Sequence, residues 1–215
     1  PQDRNGLKFY RPDGEITKAD EVAILAALES VAPSEIPSET APATPAPDAL
    51  ERYRRRYRAA FPTDALEGLH VAIYQQSSVA RDILTDILAA CGARVTPIGR
   101  SETFVPIDTE AHRPEDIAFI RDAMASGEYD ALATTDGDAA RPLVADATGR
   151  IIRGDVLGLM TARYLGVDTV VVPVTAGSML EQTGGFRRVV RTKVGSPFVI
   201  AGMEHAKRDG AKAIA

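Results

Sequence analysis

The run Thr135-Asp136-Gly137-Asp138-Ala139-Ala140-Arg141 is where residue types and spacing point most directly to chemistry. Two carboxylates placed i, i+2 around a glycine can turn toward one point, as a hard divalent cation with oxygen ligands requires. An arginine three residues past Asp138 adds a planar fork suited to phosphate oxygens. An ordinary Asp-Gly turn in solvent is the alternative on this motif alone. Two further stretches, Gln76-Ser77-Ser78 and Thr175-Ala176-Gly177-Ser178, set small polar residues at a strand-to-helix turn. There, exposed amides can hold an anion, or Ser77, Ser78 and Ser178 simply cap their helices. Lys193, in Thr192-Lys193-Val194-Gly195-Ser196, offers a point charge to a phosphate or else is a solvated surface lysine. His70, His112 and His205 are scattered, with no zinc-type spacing to the single cysteine. Nucleophile-elbow and Walker-type glycine motifs are absent from the sequence.

The elements that must position these residues alternate regularly. Leu69 to Tyr74, Arg94 to Ile98 and Ala131 to Thr135 read as apolar strands. Between them, Val79 to Cys91 reads as a helix with Ile83, Ile87 and Ala90 on one face. Pro114 to Ser126 is a second helix, with proline at a favoured first position. Pro142 to Ala145 and Arg150 to Ile152 form a hairpin turned at Ala147-Thr148-Gly149, and Asp155 to Leu165 is a helix closed by Gly166. A second unit follows: strand Thr169 to Val174, helix Ser178 to Gln182, strand Arg187 to Thr192, helix Phe198 to Arg208, and a strand from Lys212 onward. Such alternation implies an α/β fold with mostly parallel sheets and right-handed crossovers. The two strand–turn–helix runs echo each other as an internal repeat.

Ahead of these units, Thr17-Lys18-Ala19-Asp20 resembles a capping box that opens a helix over residues 18 to 31. Ala32 to Asp48 is rich in proline, with prolines at 33, 37, 42, 45 and 47, and reads as a linker. Glu51 to Arg58 carries five arginines and two tyrosines; in a chain of net charge −5 this is an exposed helix face rather than a nucleic-acid patch. No stretch approaches the ~20 apolar residues of a membrane span, so no membrane or nucleic-acid partner is expected. One cysteine, Cys91, cannot form an internal disulfide and points to a reducing, cytoplasmic setting. The chain starts at Pro1 and stops in a strand at Ala215, and is expected to be a piece of a longer protein.

Asp3-Arg4-Asn5-Gly6-Leu7-Lys8-Phe9, the acidic loop and the repeated α/β units together resemble the phosphohexomutase superfamily, in its phosphomannomutase and phosphoglucomutase branch. The resemblance implies tandem three-layer α/β domains with mixed, mostly parallel sheets. Residues 1–50 would be the end of a first domain plus linker, 51–166 a second domain with the metal loop, and 167–215 a truncated third. It implies an isomerase of carbohydrate metabolism that moves a phosphoryl group between the 1- and 6-oxygens of a hexose, through a phosphoserine and a bisphosphate. On this pattern Pro1 resembles the proline closing the phosphoserine loop, and Lys8 matches the acid–base lysine. Asp136 and Asp138 match the first two magnesium ligands, Arg141 the arginine that steadies loop or phosphate, and Lys193 a lysine near the substrate phosphate. The partner implied is a phosphorylated hexose; the oligomeric state is left open.

The sequence departs from the family pattern at Ala140, where a third metal carboxylate is expected. Mg2+ is held by few protein ligands, so this loss implies a cofactor held weakly or not at all. The chain alone is expected to lack mutase activity. Two alternatives belong to other classes. One is a non-catalytic binding or regulatory module on a mutase scaffold with a degenerate metal site. The other is a receiver- or phosphatase-like protein, in which the key aspartate would follow the first strand, where Tyr74-Gln75-Gln76 stands.

Overall fold

The computed structural model describes residues 9–12, 14–32, 44 and 46–215. Lys8 and the rest of Asp3–Lys8, with most of the proline-rich linker, lie outside the described residues. The chain divides into two compact units. The first holds the described residues between Thr44 and Gly154, and the second those before Pro33 together with Asp155–Ala215.

In the first unit, α2 (Ala49–Arg58) precedes a five-stranded sheet of order β4-β3-β5-β6-β7. Its strands are β3 (His70–Gln76), β4 (Arg94–Arg100), β5 (Ala131–Thr135), β6 (Pro142–Asp146) and β7 (Ile151–Ile152). β3 runs parallel to β4 and β5, whereas β5-β6-β7 is an antiparallel meander. The period of two along β3 builds both faces of the sheet. Val71 and Ile73 pack with Leu84 and Leu88 of α3 (Arg81–Ala90). Ala72 and Tyr74 pack on the other face with Ile120 and Met124 of α4 (Pro114–Met124). Two helices on opposite faces of one sheet make three layers, and each fully buried side chain such as Ile73 or Ile120 contributes about 1.5–3 kcal/mol. The stripe of α3 that meets this core is Leu84 and Leu88 rather than the expected Ile83 and Ile87.

α4 begins with Pro114 at its first turn and buries Asp116. That burial is tolerated because the Arg113 guanidinium grips both carboxylate oxygens, at 2.7 and 2.9 Å, and the Tyr74 hydroxyl lies 3.5 Å away. Burial pushes the Tyr74 phenol above its ordinary pKa, and the Asp116 charge adds to that.

The second unit contains β8 (Thr169–Pro173) at the centre of a parallel three-stranded sheet, flanked by β9 (Arg188–Thr192) and β10 (Ala213–Ile214). Val170 packs with Leu159 and Ala162 of α5 (Gly154–Tyr164) and Leu180 of α6 (Met179–Gln182). α7 (Ser196–Arg208) approaches the sheet through Gly202, where an added Cβ would lie 2.8 Å from Val171 Cγ1. The division between units falls at Gly154, and α5 packs against this sheet. A short hairpin, β1 (Tyr10–Arg11) with β2 (Gly14–Glu15), precedes α1 (Lys18–Ser30). The Thr17–Asp20 capping box at the start of α1 is present in both directions, while Val22, Leu25 and Leu28 stay exposed.

Candidate functional site

The acidic loop joins two antiparallel strands, with Thr135 opposite Pro142 at its base. It folds back on itself because the Asp136 amide donates to Arg141 O at 3.1 Å and the Ala139 amide to Asp136 O at 3.1 Å. Closing that turn puts Ala139 at φ +61, a left-handed conformation costing a non-glycine residue roughly 1–2 kcal/mol. Asp136 is 4% exposed. Its Oδ1 accepts from the Arg141 amide at 3.0 Å and its Oδ2 from Arg141 Nε at 2.9 Å. Arg141 Nη1 also donates to Glu110 Oε1 at 3.0 Å. The two carboxylates hold the Arg141 guanidinium above its ordinary pKa, Asp136 contributing first. Asp138 is exposed, and its Oδ1 accepts from the Ala140 amide at 3.3 Å.

The turn between β3 and α3 is fastened to this loop. Gln76 is fully buried at φ +35, and its Nε2 donates to Thr135 O at 2.6 Å and to Thr134 Oγ1 at 3.3 Å. Its Oε1 accepts from the Ser77 amide at 2.8 Å. Thr135 Oγ1 donates to Asp136 O, so the 2.7 Å contact with Ser78 places the proton on Ser78 Oγ, which in turn accepts from the Ala80 amide. The Val79 amide donates to Gly137 O at 3.1 Å. Ser77 Oγ accepts from the Val105 amide at 2.8 Å, tying in the segment that leads to Glu110. Nearby, Asp108 accepts from the Ala111 and Glu110 amides, which hold its carboxyl below the usual carboxylate range.

β3 and β4 send their connections to opposite faces of the sheet. Crevices outside the carboxyl ends of such strands are where open α/β sheets take ligands. Asp136, Asp138 and Arg141 all gather at that end of the first unit. Sequence reasoning passes over Glu110; the signal available is an acidic pair, Asp108 and Glu110, in the loop leaving the carboxyl end of a strand. Lys193 belongs to the second unit, exposed beside α7, with Nζ 5.8 Å from the Phe198 ring centroid. Gly195 caps α7 at φ +128 with no side-chain hydrogen bond to the first amides. Lys8 lies outside the described residues.

A magnesium centre needs carboxylate oxygens free to converge. Both oxygens of Asp136 are engaged by Arg141, residue 140 offers only a methyl group, and the described residues contain no group of three His, Cys, Asp or Glu able to hold a metal ion. As arranged, these residues do not fit that ion.

No protein-family model matches the chain. It is 45% identical over 213 residues to a phosphomannomutase of Sinorhizobium fredii, covering 98% of this chain and 45% of that protein. A phosphomannomutase of Salmonella muenchen is 43% identical over 201 residues, 94% of this chain and 41% of that one. The chain thus spans about half the length of the curated relatives it matches. Among solved structures, a Thermus thermophilus protein assigned as a phosphomannomutase matches 94% of this chain and 46% of its own, with a TM-score of 0.69 and 20% identity. A phosphoglucomutase/phosphomannomutase family protein of Burkholderia thailandensis matches 75% of this chain and 36% of its own, with a TM-score of 0.60 and 16% identity. These two show the same mixed α/β fold. With sequence identity of this extent along nearly its whole length, the chain belongs to the phosphohexomutase superfamily.

Proposed function

We propose that this chain is part of a phosphomannomutase-type phosphohexomutase, which interconverts hexose 1-phosphate and hexose 6-phosphate in the cytoplasm. A phosphoserine gives its phosphoryl group to the sugar phosphate, and the resulting bisphosphate turns over and returns the other phosphoryl group to the serine. Chemistry of this kind asks for positioning and charge neutralisation more than for a strong base. The first unit supplies Arg141, whose Nη2 makes no hydrogen bond among the described residues and can meet a phosphate oxygen. The second supplies Lys193 beside the uncapped start of α7, a setting that favours an anion. Lys8 carries the proton between sugar and phosphoserine. The observation carrying this reading is the 45% identity over 98% of the chain to a phosphomannomutase.

Ala140 favours a second reading, a non-catalytic module on the same scaffold with a degenerate metal site. Assaying the parent polypeptide and the 215-residue chain with mannose 1-phosphate and glucose 1-phosphate, each with a hexose bisphosphate activator, separates the two. Turnover by the parent and none by the chain is expected. A parent that binds hexose phosphate without turning it over supports the module, and turnover by the chain alone refutes the claim that it is inactive.

A further inference from the structure

A buried carboxylate needs a positive partner, because an uncompensated charge away from water is strongly unfavourable. Asp136, 4% exposed, has that partner in its own loop. We propose that Arg141 is a positioning residue that takes the place a divalent cation would hold, so that the acidic loop is folded by an internal guanidinium and does not depend on magnesium.

Three features carry this. The first is the hold on Asp136: one oxygen accepts from the Arg141 amide and the other from Arg141 Nε, so backbone and side chain of one residue reach both. The second is the orientation of the guanidinium, which Glu110 Oε1 fixes from outside the loop at 3.0 Å. The third is that the loop's own hydrogen bonds and those of its neighbours close it. The Ala139 amide reaches Asp136 O, the Val79 amide reaches Gly137 O, and Gln76 and Ser78 fasten Thr135.

A guanidinium stays charged at any pH a protein survives, so it does not yield its place by losing a proton. A metal ion approaching Asp136 therefore meets a fixed positive charge on the same carboxylate and has only the lone pairs that Arg141 leaves. Guanidinium and Mg2+ compete for the same two oxygens, and with Ala140 in the chain the ion has one carboxylate fewer with which to win. The contacts involved lie within residues 76–141, and melting and metal binding report on them whether or not the parent protein is a mutase.

The test uses the 215-residue chain, followed by circular dichroism melting and by calorimetric titration with MgCl2, with NaCl at matched ionic strength as the control. The wild-type chain is expected to show no saturable heat and no magnesium-specific rise in its melting midpoint. Arg141→Gln is expected to lower the midpoint without magnesium by on the order of 5 °C, and Arg141→Lys to recover only part of that loss, since an ammonium lacks the fork. Ala140→Asp combined with Arg141→Gln is expected to bind Mg2+ saturably and to regain the lost midpoint when it does. Saturable Mg2+ binding by the wild-type chain that Asp136→Asn abolishes overturns the proposal. So does an Arg141→Gln midpoint equal to that of the wild type. Should Arg141→Gln fail to fold, the wild-type titration and the Arg141→Lys midpoint still decide it.

Discussion

The two units contain the same local device, a strand, a small-residue turn, a helix and a parallel strand whose arginine returns to an acid on the helix. In the first unit Arg100 of β4 meets Asp82 of α3 at 2.7 Å. In the second Arg191 of β9 grips both oxygens of Glu181 on α6, at 2.9 and 2.8 Å. The turns themselves are held differently. Arg191 also donates to the carbonyls of Pro173, Ala176 and Gly177, so one guanidinium holds most of the turn, while the Gly177 amide donates to Asp155 of α5. Arg100 reaches only one atom of its turn strand, Gln75 Oε1 at 3.4 Å. In the first unit Gln76, Ser77 and Ser78 bond sideways instead, to the acidic loop and to the segment before Glu110. A turn closed on itself is scaffold. A turn that spends its polar groups on a neighbouring loop positions that loop, and this is the difference that locates the site.

Substitutions in each unit break or sharpen this contrast. Gln76→Leu keeps the volume but strands Thr135 O and the Ser77 amide, and is expected to destabilise the chain by about 3 kcal/mol in denaturant melts. It should also release the acidic loop, read as faster amide exchange at Gly137 to Ala140. An equal cost with unchanged exchange there would show that the glutamine serves packing alone. On the other side, Gly177→Ala forces a Cβ to 2.8 Å from Asp155 Oδ2 and is expected to cost about 1–2 kcal/mol with exchange at the acidic loop unchanged. Ala139→Gly relieves the left-handed residue and is expected to stabilise by about 0.5–1 kcal/mol. A loss of stability instead would mean that the turn is not strained.

The smallest effect concerns acid. Arg100 holds Asp82, and Arg191 holds Glu181, below the usual carboxylate range. A carboxyl lowered in the folded state stabilises the fold above its unfolded pKa of about 4 and loses that contribution as pH falls through its folded value. Asp82→Asn and Glu181→Gln are therefore each expected to flatten the acid limb of the stability curve. Glu181→Gln should do so more, because its arginine also closes a turn. An equal response would remove the distinction between the two devices.

Element positions are legible where apolar period and turn residues agree: β5 is Ala131–Thr135 as expected, and the hairpin of β6 and β7 turns where Thr148 and Gly149 stand. β3 runs two residues beyond its apolar stretch because Gln75 and Gln76 are buried polar residues, and only their hydrogen-bond partners, for Gln76 far off in sequence, explain why. The sequence reads Ser78 as a helix cap, but α3 is capped at Ala80 without a side-chain bond; Ser78 Oγ accepts from the Ala80 amide outside the helix and its other bond crosses to Thr135. The hairpin of β1 and β2, two residues to a strand, is too short for periodicity to register. At the site, the types Asp136, Asp138 and Arg141 are visible in the sequence, whereas the closure of Asp136 on Arg141 depends on a left-handed alanine that no propensity foretells.

The meander β5-β6-β7 joins strands next to each other in sequence, whereas β3 must wait for β5, some sixty residues further on, before its inner edge is paired. Hairpins close in about 1–10 μs, and pairings between distant segments come later. The Asp136–Arg141 clasp, five residues apart, is thus expected to form in the folding chain before Gln76 arrives to seal it, with the rest of the first sheet assembling onto a loop already closed.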